Sequence, residues 1–318
     1  MSWQRFSTLF QYLLTVSLFG LSVWAIAQEL HKYHPQQLWH SLMAIPIPYL
    51  LLAVGLTAVN YLMLTGYDTL AIHYIRHPLP YPKTALAAAV SYAISNSVGL
   101  ALLSGSAIRY RFYAAWGLSV VEIAQIIAFC NLSFWLGLFA VGGAAFLLNP
   151  VEVPTFLHLP FTSVRPLGAI FLLVVVGYLL MSVLSEKSLK IGKLIIPHLP
   201  LRLSLAQIAV TSFDWALAAA VLYALLPHPL PLSYPGFFGI YLLGQIAGII
   251  SNVPGGLGVF ETVLLFLLSP PISSATLLGA LLAYRGIYYL LPLAIALLLL
   301  GLYELKQRLK AGGKSNRC

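Results

Sequence analysis

Apolar residues fall in long blocks along this chain, with neither the alternation of strands nor the single stripe of surface helices. Hydrophobic runs occupy about 7–27, 47–70, 121–148, 166–184, 204–226 and 276–303. About 20 apolar residues in a helix cross a hydrocarbon core of about 30 Å, so the pattern predicts six full spans. Two more apolar regions, about 85–106 and 234–268, are interrupted. Each carries Ile-Ser-Asn just before a glycine-bearing break, "ISNSVG" at 94–99 and "ISNVPGG" at 250–256. These are expected to be broken or re-entrant helical segments, which membranes tolerate only where protein or a water-filled cavity covers the free backbone.

Charge decides how the first interrupted region runs. If 85–106 crosses fully with the N-terminus inside, nine Lys and Arg fall inside and seven outside. If it dips in and returns, Arg109, Arg111, Lys187, Lys190, Lys193 and Arg202 move inside while Arg165 moves outside, and the split becomes fourteen against two, leaving only Lys32 and Arg165 outside. The positive-inside rule favours the second arrangement. Region 234–268 is long enough for a hairpin entering from the other side, two half-helices meeting at Pro254-Gly255-Gly256. The expectation is an all-α polytopic membrane protein of six spans plus two re-entrant or broken segments. It reads as a single domain over 1–318, built as an inverted repeat of two four-element halves, 1–150 and 160–318. Matching Ile-Ser-Asn strings could also be a coincidence between Gly-rich helices. Interrupted segments at corresponding positions of inverted halves point to a transporter's binding site.

Composition agrees with a membrane protein. Of 318 residues, 60% are hydrophobic and 8% charged, where a soluble domain carries about a quarter charged. Apolar runs extend to residue 303 and leave no expected room for a soluble catalytic domain. The start resembles a signal peptide, with Ala25-x-Ala27 before a cut, but Leu9 to Ala27 is long for the apolar part of one. A retained first helix is expected. The net charge of +9 sits in short loops and in the basic tail 304–318, a topology signal that could also touch anionic headgroups. No nucleic-acid partner is expected. Of two cysteines, Cys130 lies in an apolar run and Cys318 ends the chain, so no disulfide framework is indicated.

The chemistry lies in the few polar residues within apolar runs, because a charge at mid-membrane costs about 2.5–3.5 kcal/mol on insertion scales and needs a partner. Arg285 stands about 14 Å into the last span at 1.5 Å per residue, with Tyr288, Tyr289 and Pro292 on its face. Asp214 is central in its span, with Thr211 and Gln207 one and two turns before it. Asn60 and Asp68 share a face. After Asn252, Gly255 and Gly256 let the backbone approach a ligand, Pro254 ends the preceding helix, and Glu261 lies in the first turn of the next. A helix start attracts anions. Glu261, Arg285 and Asp214 are therefore candidates for a switchable cluster around an anionic headgroup, a static ion pair being the alternative. Arg109 and Arg111 point about 200° apart if helical (two steps of 100°), so one faces the interior or both are interfacial anchors. His73 and His77 stand at i, i+4 without an evident carboxylate, and no metal site is expected. No hydrolytic triad, paired carboxylates or Walker loop is recognisable, and no cofactor is expected.

At "GYDTLA" (66–71), "AIRYRFYAAWGLS" (107–119), "SFDWALAAA" (212–220), "VPGGLGVFE" (253–261) and "LLAYRGIYYLLP" (281–292) the sequence resembles the lysylphosphatidylglycerol synthase transmembrane-region family, in its stand-alone YbhN-type form. The resemblance covers nearly the whole chain. It implies a multi-pass protein of the bacterial inner membrane with a flippase-like fold, both termini cytoplasmic, associated with moving anionic phospholipids such as phosphatidylglycerol or cardiolipin. It carries over Arg109, Arg111, Asp214, Glu261 and Arg285 as functional candidates. No aminoacyl-transferase domain follows residue 303, so synthase activity is not implied. A lipid-binding scaffold for a synthase, a homo-oligomer and an intramembrane lipid-modifying enzyme remain alternatives.

Overall fold

The computed structural model describes residues 35–98, 101–150, 163–184, 189–191, 194–196, 199–228, 230, 232–251, 253–269 and 272–315. The expected span at 7–27, Asn252 and Cys318 lie outside them. The described chain is helical apart from a two-stranded antiparallel ribbon, β1 (Leu189–Ile191) and β2 (Leu194–Ile196). A short α1 (Pro35–Met43) leads into α2 (Ile47–Ile75). Then come α3 (Tyr81–Val98), α4 (Ala101–Ala115), α5 (Val120–Leu148), α6 (Arg165–Leu184), α7 (Leu201–Leu225), α8 (Tyr234–Ile250) and α9 (Val259–Leu268). Last are α10 (Ser274–Tyr284), a π-helical turn (Arg285–Leu290) and α11 (Leu291–Ser315). Among the described residues five helical segments are long and apolar enough to cross a membrane: α2, α5, α6, α7 and the run Ser274–Tyr303. They coincide with five of the six expected spans.

Local chemistry sets the ends. Pro46 and Pro48 open α2, where a missing N–H costs nothing, and Arg76 closes it in the left-handed region at φ 56°. Ser119 and Glu122 form a reciprocal capping box on α5. At α9 the cap residue is Gly258, so only half the box exists, the Glu261 carboxylate accepting the Gly258 N–H at 2.8 Å.

Both interrupted regions are helical hairpins. The α3/α4 hairpin packs Ser95 against Gly105 so closely that a Cβ on the glycine would meet Ser95 Oγ. Its two ends lie together: His77, between α2 and α3, meets Glu122, in the first turn of α5, at 2.9 Å. In α8/α9, Gly244 packs on Phe260 and Leu264 and Gly248 on Gly256. This hairpin opens at the other end of the bundle, where Tyr49 stacks on His228 at 4.8 Å and Phe237 lies beside Leu268. The tips meet in the middle. A Cβ on Gly255 would stand 3.5 Å from Asn96 O, and Ser97 Oγ donates to Tyr289 O at 3.3 Å.

Small residues set the spacing of the long helices, as expected where lipid supplies no hydrophobic drive between them. Gly66 of α2 faces Val210 of α7, and Gly137 of α5 faces Thr211 of α7. Gly142 and Gly143 receive Phe171 and Leu172 of α6. Two apolar clusters result. One gathers Tyr67, Phe112, Tyr113 and Ile126 near the α3/α4 mouth, and the other Phe146, Trp215, Phe237, Leu264 and Tyr284 toward the α8/α9 mouth.

The second arm of the first hairpin runs on as helix to Ala115, past the expected end near 106, and carries Arg109 and Arg111 on different faces, as their spacing suggested. Arg109 is buried, at 5% exposure, while Arg111 is exposed.

A polar seam through the middle of the bundle

Three of the described carboxylates face the interior of the bundle, each in a different setting: Asp68 and Asp214 are buried, and the Glu261 side chain is 12% exposed. Glu261 and Arg285 form the first pair, where the α8/α9 tip meets the π turn. Arg285 Nε donates to Glu261 Oε1 at 2.8 Å and Nη1 to Gly255 O at 2.7 Å. Gly255 sits at φ 61°, a conformation that only glycine adopts freely and that turns its carbonyl to the guanidinium. The cation also lies 4.6 Å from the Tyr289 ring centre. Nη2 stands 2.7 Å from the same Oε1 but is not aligned to donate to it. It is a buried guanidinium nitrogen without a hydrogen-bond acceptor among the described residues.

Asp68 and Arg109 form the second pair, where α4 packs on α2. Nε donates to Oδ1 at 2.9 Å and Nη2 to Oδ2 at 2.8 Å, a two-pronged contact. The Tyr113 hydroxyl adds a bond to Oδ1 at 2.8 Å, Cys130 Sγ lies 3.7 Å from Oδ2, and the Tyr92 ring covers the guanidinium at 4.5 Å. This pair is sealed, with side-chain exposures of 6% and 0%.

Asp214 is the third. It does not join Glu261 and Arg285, contrary to the cluster expected from sequence: no hydrogen bond or ion pair links them among the described residues. Its partners come from α2. Asn60 Nδ2 donates to Oδ1 and to the Asp214 backbone carbonyl, each at 2.8 Å, and the Tyr67 hydroxyl donates to Oδ2 at 2.7 Å. Asn60 Oδ1 in turn accepts from Tyr288 at 3.0 Å. Gln207 and Thr211, expected on the same seam, are buried as well. Gln207 joins Tyr178 at 2.6 Å and Ser133 at 2.6 Å, while the Thr211 hydroxyl donates to Gln207 O one turn earlier in its own helix.

The π turn was not visible in the sequence. Pro292 has no N–H to give to the carbonyl four residues back, and Leu291 N–H bonds to Gly286 O, five residues back. Such turns recur at functional sites. Here the wide turn directs Arg285 to the α8/α9 tip and Tyr288 to Asn60. The sequence likewise gave no carboxylate for His77, because Glu122 lies 45 residues away. No group of three metal-capable side chains occurs among the described residues.

With this geometry in hand, comparison with known proteins is specific. The sequence profile described as "Lysylphosphatidylglycerol synthase TM region" matches residues 10–296. The chain is 54% identical to the Synechocystis protein slr0712 over 99% of both chains. It is 33% identical to the inner membrane protein YbhN of Escherichia coli over 78% of each. Similarity also reaches the phosphatidylglycerol lysyltransferase of Staphylococcus haemolyticus, 24% identical over 75% of this chain and 27% of the larger protein.

Proposed function

The chain belongs to the lysylphosphatidylglycerol synthase TM-region family, and on that premise we propose that it moves an anionic phospholipid between the leaflets of a bacterial inner membrane. The observation that carries this reading is the spare donor edge of Arg285. A buried guanidinium with an unfilled N–H, at a glycine-rich helix start where backbone N–H groups favour negative charge, suits a headgroup phosphate. Glu261 then acts as an internal stand-in anion, occupying Arg285 until a phosphate displaces it. The lysyltransferase named for phosphatidylglycerol supports that lipid class as cargo.

The two hairpins supply a path on this reading. They are re-entrant from opposite faces, belong to two inverted halves, and carry the ion pair where their tips meet, the arrangement of transporters with midplane sites. Both termini face the cytoplasm, as the charge asymmetry favours. The lipid leaves chemically unchanged, so no catalytic group is assigned. A scaffold that binds lipid without moving it is the alternative the experiment separates.

The test reconstitutes purified protein in liposomes holding a fluorescent phosphatidylglycerol and follows quenching by an impermeant reductant. Quenching beyond the outer-leaflet half, lost in Arg285→Ala that remains folded, supports translocation. Quenching that stops at half in the wild type, with fluorescent lipid still bound, refutes translocation and selects the scaffold.

A further inference from the structure

We propose that Asp214 is a reversible proton-binding site coupled to the turn that carries Arg285. The coupling clause rests on the lipid-moving function above; the proton site does not.

Three of the four carboxylates whose side chains are described have a cationic or ionisable nitrogen partner: Asp68 has Arg109, Glu261 has Arg285, and the partly exposed Glu122 has His77. Asp214 has none among the described residues, though it is 6% exposed in the middle of a span. A lone carboxylate in low dielectric carries a large desolvation cost, and a proton is the smallest cation that removes it.

The partners decide which carboxyl tolerates that proton. Arg109 and Arg285 only donate, so a proton on Asp68 or Glu261 would set donor against donor. Tyr67 can do either. With Asp214 ionised, the phenol donates to Oδ2. With Oδ2 protonated, the acid donates to the phenol oxygen and the hydroxyl hydrogen swings away, at the expense of one rotation. Asn60 presents N–H to the carboxylate and keeps its carbonyl for Tyr288, so the oxygens meet donors rather than the carbonyl cage a metal cation requires.

The surroundings add no compensating charge. Tyr61 and Tyr67 face Asp214 from α2, Tyr92 from α3, Tyr241 from α8 and Tyr288 from the π turn, all phenols. Tyr284 of α10 bonds to Tyr241 at 2.9 Å. From α5 and α6 the interior titratable groups are Cys130, at Asp68, and Tyr178, at Gln207, while Glu122 and Arg165 stand in the first turns of those helices.

Asn60 transmits the change. One amide holds Asp214 on its N–H side and Tyr288 on its carbonyl side, and Tyr288 lies three residues past Arg285. A neutral acid is a weaker acceptor than a carboxylate, so protonation slackens Asn60 and with it the turn that seats Arg285 on Glu261. The proton enters on Oδ2 and leaves from the same atom, and no other covalent bond forms or breaks.

Infrared titration of purified wild type, Asp214→Asn and Glu261→Gln in phosphatidylglycerol–phosphatidylethanolamine liposomes tests the site, with size-exclusion profiles checking the fold. A neutral-acid carbonyl band that titrates in the wild type, persists in Glu261→Gln and is lost in Asp214→Asn is the expected result. A band unchanged in Asp214→Asn, or no titrating band in the wild type, overturns the proposal. A trapped pH dye tests coupling: adding phosphatidylglycerol to one leaflet should move protons in the wild type and not in Asp214→Asn. Lipid movement without proton movement overturns the coupling. If the band behaves as expected and no lipid moves at all, the lipid-moving function fails while the proton site stands.

Discussion

Removing both members of the sealed Asp68–Arg109 pair should cost clearly less than the sum of the two single removals. Asp68→Asn keeps the volume but places an amide N–H₂ toward a guanidinium that is 6% exposed. Breaking a buried pair in this way costs about 3–5 kcal/mol, because the surviving charge stays unpaired. Arg109→Gln strands a carboxylate that retains Tyr113 at 2.8 Å. One hydrogen bond to a charged group returns about 1.5–3 kcal/mol, so this variant should sit near 3 kcal/mol (the lower end of the range for a broken pair). The double variant leaves two neutral amides that can bond each other, and should recover about 2–3 kcal/mol relative to the sum, near the upper end for directly contacting residues. Reversible unfolding in mixed micelles, scored on all four members of the cycle, measures the coupling. Additivity within about 0.5 kcal/mol, the behaviour of independent sites, would refute the claim that these side chains neutralise one another.

Gly105→Ala should loosen the α3/α4 hairpin, since its Cβ meets Ser95 Oγ. Adding Ser95→Ala should restore most of the lost thermal stability, and no rescue would argue against that contact. Gly137→Ala has no such remedy: its Cβ would lie 2.9 Å from the Thr211 backbone carbon, so α5 and α7 must part, at about 1–3 kcal/mol, read as a lower unfolding midpoint. Arg285→Lys keeps the charge but cannot bridge Glu261 and Gly255 together. Loss of one charge-assisted bond of about 1.5–3 kcal/mol should slow lipid movement at least about tenfold in the liposome assay, and wild-type rates would count against a guanidinium-specific role.

Much of the architecture was legible in the order of residues, and for a plain reason. A bilayer demands about 20 apolar residues per span, so block lengths alone located α2, α5, α6, α7 and the run to Tyr303. Glycine and proline marked both hairpin breaks because their backbone preferences are local. The Glu261–Arg285 pairing could be anticipated, since a charge so deep must find its opposite. Which buried carboxylate lacks a cation could not. These helices are apolar nearly all round, so periodicity does not say which face meets which neighbour. Whether Asp214 reaches Arg285 or Asn60 depends on how α2 and α7 are rotated and staggered. That is settled by contacts such as Gly66 on Val210 and Gly137 on Thr211, between residues far apart in sequence. The π turn, the sealed Asp68–Arg109 pair and the meeting of His77 with Glu122 arise the same way. The chain fixes which polar groups enter the membrane, and only packing chooses their partners, because a hydrogen bond requires a separation of about 3 Å that no sequence spacing encodes.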